Sequence, residues 1–357
     1  MPTSKIDAAK AEAFAGQMIG HLNGAALTMM ISIGHQTGLF DTMAALPGAT
    51  SLEIAKAAKL NERYVREWLA GMATGKIVTY SPKTGKYKLP PEHAASLTRS
   101  AGPNNISAMA QFTPIMGLVE GQVIDSFRNG GGVPYSEYPR FQKLMAEESA
   151  QVFDATLTGK TLPLVPGLVK RLQAGIDVAD IGCGSGHAIN LMAKAFPKSR
   201  FAGFDFSEEG IATGKAEAKK MGLRNATFVA RDVADVNMPA DFDLITAFDA
   251  IHDQAQPRKV LKNIARALRP DGTFLMVDVA GSSKVEENID HPLAPFLYTA
   301  SVMHCMTVSL ALNGEGLGTM WGEQKAKELL AEAGFRRVSV KRVEGDILNN
   351  YYIARKS

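Results

Sequence analysis

Cysteine is scarce. Only Cys183 and Cys305 occur in 357 residues, and they stand far apart. Two such positions offer no metal-type spacing and no disulfide framework, and they fit a reducing compartment. Net charge is also small, +3 from 39 basic and 36 acidic residues. That excludes a protein built chiefly to neutralise a phosphate backbone, although a local basic patch stays open. Long apolar runs are missing too. No stretch reaches the roughly 18 uninterrupted apolar residues of a spanning helix. "FLYTASVMHCMTVSLAL" (296–312) comes nearest, and His304 interrupts it, so a buried helix lining a pocket is expected there. Residues 1–20 lack the charge, apolar core and cleavage site of an export signal. The expected setting is the cytoplasm, away from membranes.

What is present divides the chain. Hydrophobic residues make up 46% and charged residues 21%, ordinary for a globular protein, and the length suggests two domains. Residues 8–46 are rich in Ala and Met at helical spacing, with little charge. Such a stretch buries more than one face, in its own core or against another subunit. Ser51 is placed to cap a helix over 52–58, and Asn61 to cap another over 62–74 whose apolar positions are Val65, Leu69 and Met72. "IVTYSPKTGKYKLP" reads as two strands around a turn. Helix, turn, helix and hairpin in this order make an α+β winged helix. Residues 101–165 read as a helical connector, with "NGGGVPYSEYP" (129–139) as its loop. From Gly175 onward, strands at 177–181, 200–205, 226–231, 242–248 and 272–278 alternate with helices, the rhythm of a parallel α/β sheet covered on both faces. "FRRVSVKRV" (335–343) and "NNYYIARK" (349–356) lie too close for a helix between them and should pair antiparallel at the sheet edge. The domains are therefore 1–100, 101–165 and 166–357.

The chemistry gathers at the strand ends. "VADIGCGSG" follows a strand and opens a helix. Gly182 and Gly184 let a ligand approach the backbone at a helix N-terminus. Gly186 arrives one residue early for a dinucleotide fingerprint, and His187 holds the place of its last glycine. Asp180, two residues before the first glycine, suits a cationic ligand better than a pyrophosphate. Asp205 ends the next strand and can accept from both hydroxyls of a ribose. Asp232 ends the third, where it can accept from an adenine amino group while the backbone of Val233 donates to the ring. "AFDAIHD" follows the fourth strand, and with Phe206 its Phe248 and Asp249 complete the expected cofactor contacts. Acids at successive strand ends, with no basic residue in the glycine loop, describe a ligand with ribose, adenine and a positive end. S-adenosylmethionine fits.

From about residue 166 onward the chain resembles the class I S-adenosylmethionine-dependent methyltransferases. "DIGCGSG", "FDFS", "RDV", "FDLITAFDAIHD" and "ALRPDGTFLMVD" stand in that family's order and spacing. With residues 20–100 included, the whole chain is similar to small-molecule methyltransferases that carry an N-terminal winged-helix dimerisation domain. The resemblance implies a Rossmann-like seven-stranded sheet with its last strand antiparallel, a homodimer and a small-molecule acceptor. Natural-product O-methyltransferases have His-Asp-Trp after the fourth strand, and the histidine deprotonates the acceptor hydroxyl. Here His252 and Asp253 match, with Gln254 in the third place. Two roles stay open for His252: catalytic base, or a structural one in which it caps the following helix or holds the loop. The same resemblance puts Met145 in the acceptor pocket, and Tyr298, Met303 and His304 lie where this fold inserts substrate-covering helices. Asp249 and Asp253 lack an evident third ligand, so no metal is expected. Two other readings compete: a thiol, sulfide or amine acceptor, and a DNA-binding regulator that senses S-adenosylmethionine through Arg63, Arg66 and the wing lysines Lys83, Lys86 and Lys88. Trp68 and Leu69 in the would-be recognition helix argue against nucleic acid.

Overall fold

A computed structural model describes residues 6–235 and 241–356. The chain forms two compact units, 1–115 and 116–357.

The first unit opens with a helix of 29 residues, Ala8–Gln36, capped by Asp7, whose carboxylate accepts from the Ala9 and Lys10 amides. Only its C-terminal end is buried, at Ser32, Gly34 and His35. The Trp68 and Phe40 rings lie so close to Gly34 that a Cβ there would stand 2.5 Å and 2.7 Å from them. Helices Leu39–Ala44, Ser51–Ala58 and Glu62–Thr74 come next, then a hairpin of β1 (Thr79–Ser81) and β2 (Lys86–Lys88). Asn61 caps its helix as expected. Ser51 does not: it is the first helical residue, and Thr50 forms a reciprocal capping box with Glu53, because only a residue outside the helix can turn its side chain back onto the N3 amide. Phe40, Met43, Ile54, Val65, Trp68, Leu69, Met72 and Val78 form the core.

The second unit is built on seven strands: β3 (Asp177–Ile181), β4 (Arg200–Asp205), β5 (Ala226–Ala230), β6 (Phe242–Phe248), β7 (Leu268–Val279), β8 (Arg337–Lys341) and β9 (Asn349–Arg355). Their order is β5-β4-β3-β6-β7-β9-β8. The first five run parallel, and β9 pairs antiparallel with both β7 and β8. The sheet is the expected α/β architecture, with β8 at the edge and β9 inside. Alternate residues feed two cores. Ile245, Phe274 and Met276 pack on one face with Ile264 and Leu329, while Leu244 and Leu275 pack on the other with Ile189 and Met192. Each such side chain contributes about 1.5–3 kcal/mol when fully buried. The order reverses between β3 and β6, so the crevice at their C-terminal ends is the place where open α/β sheets take ligands.

Residues 294–311 are helical as expected, but in three pieces. Helices Ala294–Ala300 and Met306–Ala311 flank one π-helical turn, Ser301–Cys305. Among the described residues, no helix is long and apolar enough to cross a membrane.

Candidate active site

The glycine loop joins β3 to the helix His187–Ala195. Gly182, Gly184 and Gly186 all have positive φ, 69°, 52° and 71°. A Cβ on Gly186 would come within 2.2 Å of the Phe228 ring, whereas Gly184 faces open space. The Gly184 and Ser207 amides donate to the two oxygens of Asp205, each at 2.8 Å. Each oxygen keeps a further lone pair for a ligand hydroxyl. Burial raises the Asp205 pKa, with those backbone donors opposing. Asp180 is 2% exposed and accepts from Thr246 Oγ1 at 2.6 Å. Burial pushes it up to about 7, against the Thr246 bond and aided by the Asp205 charge.

Asp249 has φ 49°, and among the described residues its Oδ1 is buried without a partner. Burial, then the Asp278 charge, push its pKa up to about 7. A buried acceptor left unpaired is unusual in a folded protein. Asp232 is exposed and accepts from the Ala234 amide at 2.8 Å. Asn263 Nδ2 donates to the carbonyls of Val233 and Ala234 and so fixes this turn, a role with no local mark in the sequence. Phe248 packs edge-on to Phe153 at 5.0 Å. Phe206 is 58% exposed, with its ring 5.9 Å from Tyr135.

His252 follows β6 and is 4% exposed. The next helix, Pro257–Ala267, begins at an N-cap of Gln256 without a side-chain bond, so His252 is not its cap. Nδ1 lies 2.7 Å from Asp278 Oδ1, and Nε2 lies 3.2 Å from Asp253 Oδ1. Asp278 Oδ1 also accepts from Trp321 Nε1 at 3.0 Å and from the Val279 amide at 2.8 Å. Burial works against a charged imidazole, but the Asp278 and Asp253 carboxylates outweigh it and hold the pKa well above that of an ordinary histidine. Neither Asp278 nor Trp321 stands out in the sequence as a site residue. Asp278 was findable as the acid closing the fifth parallel strand, and Trp321 carried no signal. His252, Asp253 and Cys305 bring one nitrogen, one oxygen and one sulfur within 4.8 Å of one another. Burial pushes the Cys305 thiol up to about 11, so it is protonated near neutral pH.

Two further segments pack together near Asp253. Val133 N donates to Thr307 Oγ1 at 2.9 Å, and Tyr138 Oη donates to the Met303 carbonyl at 2.6 Å. Gly132 allows the close approach, since a Cβ there would stand 1.9 Å from the Thr307 carbonyl oxygen. The two bonds pin loop 129–139 to the π turn. Tyr135, Tyr138 and Phe141 surround His304 with their rings. Met145, one turn beyond Phe141, is half-buried. Tyr298 lies elsewhere: its hydroxyl accepts from Asn288, and its ring packs beside Val279, Leu297 and Met320.

Residues 172–341 match the family model described as a methyltransferase domain, and residues 25–99 match that of an Rv2258c-like winged HTH domain. The chain thus carries a winged-helix domain followed by a methyltransferase domain. The chain is 26% identical over 147 residues to a malonyl-[acyl-carrier protein] O-methyltransferase of Bacillus cereus, a match covering 41% of this chain and 49% of that protein. It is 35% identical over 104 residues to an uncharacterized methyltransferase, YcgJ, of Bacillus subtilis, covering 28% of this chain and 40% of the relative. The match thus spans half or less of these curated relatives. Among solved structures, human N-acetylserotonin methyltransferase in complex with SAM superposes with a TM-score of 0.71 at 19% identity, covering 99% of both chains. The mitomycin 7-O-methyltransferase MmcR gives 0.72 at 18% identity, covering 97% of this chain and 99% of that one. At these identities the likeness concerns the fold. In this chain the glycine loop with its acids and the His252–Asp278 pair share the C-terminal edge of one parallel sheet.

Proposed function

We propose that the protein transfers a methyl group from S-adenosylmethionine to a hydroxyl of a small-molecule acceptor, with His252 as the base. The observation that carries this reading is the His252–Asp278 pair, buried at the same sheet edge as the glycine loop. S-adenosylmethionine, when bound, supplies a methyl activated by its sulfonium. Asp180 offers its carboxylate to the cationic end, Asp205 to the ribose hydroxyls, and Asp232 with the Val233 backbone to the adenine. Phe206, Phe248 and Asp249 border the same space. Asp180 and Asp205 are buried, and among the described residues their hydrogen-bond donors are a hydroxyl and two backbone amides rather than a basic side chain, which suits a ligand that is cationic and rich in hydroxyls.

His252 takes the proton of the acceptor hydroxyl on Nε2, where Asp253 now stands. Asp278 holds Nδ1–H and stabilises the imidazolium that forms, as the acid of a hydrolase triad does. Placing the acceptor in line with the methyl supplies up to about 7–11 kcal/mol in favourable systems, and a positioned base adds about 10²–10⁴-fold. A thiol acceptor would need this pair less, because thiols ionise more readily than most hydroxyls. The regulator reading loses support in the first unit. Arg63 pairs with Glu67 and Arg66 with Glu62 on the same helix, which leaves that helix little net field for phosphate. The exposed apolar side chains of Ala8–Gln36 support a homodimer, and two free cysteines accord with a cytoplasmic setting.

The test is His252→Gln, which keeps a polar group of similar reach. Turnover should fall by about 10²-fold or more at neutral pH while S-adenosylmethionine affinity, read by calorimetry, holds. Undiminished turnover would remove His252 as the base and favour a thiol acceptor.

A further inference from the structure

His304 sits in the π turn with 2% of its surface exposed. Its ring stacks on Phe141, with centroids 3.7 Å apart and planes at 13°, and meets Tyr138 edge-on at 4.6 Å and Tyr135 at 5.3 Å. Among the described residues, neither ring nitrogen has a hydrogen-bond partner. Burial lowers its pKa to about 4, against the pull of Asp253 and with the help of the His252 charge. The ring is therefore neutral at physiological pH, with one N–H donor and one bare acceptor, and it lies within the field of the base and its neighbour.

A phenylalanine would fill this place without stranding a donor, and a buried donor without a partner costs stability. The aromatic neighbours hold the ring too tightly to turn toward solvent. Tyr135 extends the aromatic wall toward the cofactor side. Its phenol is pushed up by burial and then by the Asp253 and Asp205 charges, and its ring meets the exposed ring of Phe206. Edge and face contacts among such rings favour a flat π system.

We propose that His304 selects the acceptor by hydrogen bonding to it. Besides the hydroxyl that is methylated, the acceptor carries a second hydrogen-bonding atom, a ring nitrogen or a carbonyl, which meets an imidazole nitrogen of His304. This rests on the hydroxyl methyl-transfer reading and specifies its substrate class. His304 acts in selection, and the proton of the reaction goes to His252.

The probes are hydroxyquinolines with the hydroxyl on the carbocyclic ring, set against naphthols of the same outline. Affinities are measured by calorimetry on the full chain saturated with S-adenosylhomocysteine. The wild type should bind at least one hydroxyquinoline about tenfold more tightly than its naphthol counterpart, the effect of one satisfied buried polar group. His304→Phe should erase that preference while leaving S-adenosylhomocysteine affinity unchanged. His304→Gln, which restores a donor and an acceptor, should recover part of it. Equal affinities in the wild type, or a preference that survives His304→Phe, overturn the proposal, as does failure of every probe to bind. Should His304→Phe not fold, His304→Ala decides by the same criterion. The function reading is scored apart, by methylation of any of these hydroxyls and its loss in His252→Gln.

Discussion

Asp278 Oδ1 accepts from a ring, an indole and a backbone amide at once. The orientation of His252 is thus set from behind by a group that never meets the acceptor. Because the Asp278 and Asp253 charges hold the His252 pKa high, the neutral base is the minority form below that pKa. Turnover should rise with pH through it, so the profile climbs above neutrality. Asp278→Asn removes the larger of those two charges. The rising limb should move to lower pH and the plateau rate should fall by about 10²-fold or more, since the amide also favours the wrong tautomer. Initial rates across pH with a saturating acceptor check both, and an unmoved limb refutes the role. Dialysis against EDTA should leave turnover unchanged, because both ring nitrogens of His252 already face carboxylates, Asp278 and Asp253. A loss restored by added zinc refutes that. His252 and the strand-end acids were legible in the sequence as candidates because each follows its strand at a fixed spacing. The Trp321 contact was not, since its partner stands 43 residues away and nothing local to either residue announces it.

The strands were legible because β3 through β6 are short apolar runs between turn signals, and their boundaries agree to within one residue, whereas β7 begins at Leu268, four residues before the expected start. Alternation within them shows which core each residue feeds. The π turn Ser301–Cys305 was not legible. One extra residue in a helical turn leaves the apolar pattern almost intact, yet it re-aims every side chain beyond it, as such bulges often do at functional sites. The glycine loop makes its own predictions. Asp205→Ala removes two possible ribose bonds and the tether on Gly184 and Ser207, so S-adenosylmethionine affinity should drop about tenfold or more, read by calorimetry. In the wild type, Asp180 with its pKa near 7 must ionise to meet a cationic ligand. Affinity should therefore increase from about pH 6 to about pH 8, with proton release on binding. Calorimetry in buffers of different ionisation enthalpy tests the sign, and proton uptake would contradict it.

On the scale of the whole molecule, Ala8–Gln36 leaves Phe14, Ile19 and Leu22 at 61%, 59% and 69% exposed, more apolar surface than a lone helix presents comfortably to water. Light scattering should give twice 38.3 kDa for the wild type and the single value for the Phe14→Glu, Leu22→Glu double variant. A monomeric wild type refutes the dimer. The five parallel strands carry a larger consequence. Each has an aspartate at or within two residues of its C-terminal end: Asp180, Asp205, Asp232, Asp249 and Asp278. Where burial raises a carboxylate pKa, as for Asp180, Asp205 and Asp249, the stability it contributes is full below the unfolded value near 4 and is lost as pH rises through the folded one. The ligand-free protein should melt at a lower temperature at about pH 8 than at about pH 5, and a cationic ligand should narrow the gap. Near neutral pH, then, the empty protein is the fragile one. In a cell that degrades unfolded chains, its lifetime would track the supply of the methyl donor, so a shortage would thin the enzyme's numbers as well as slow its turnover.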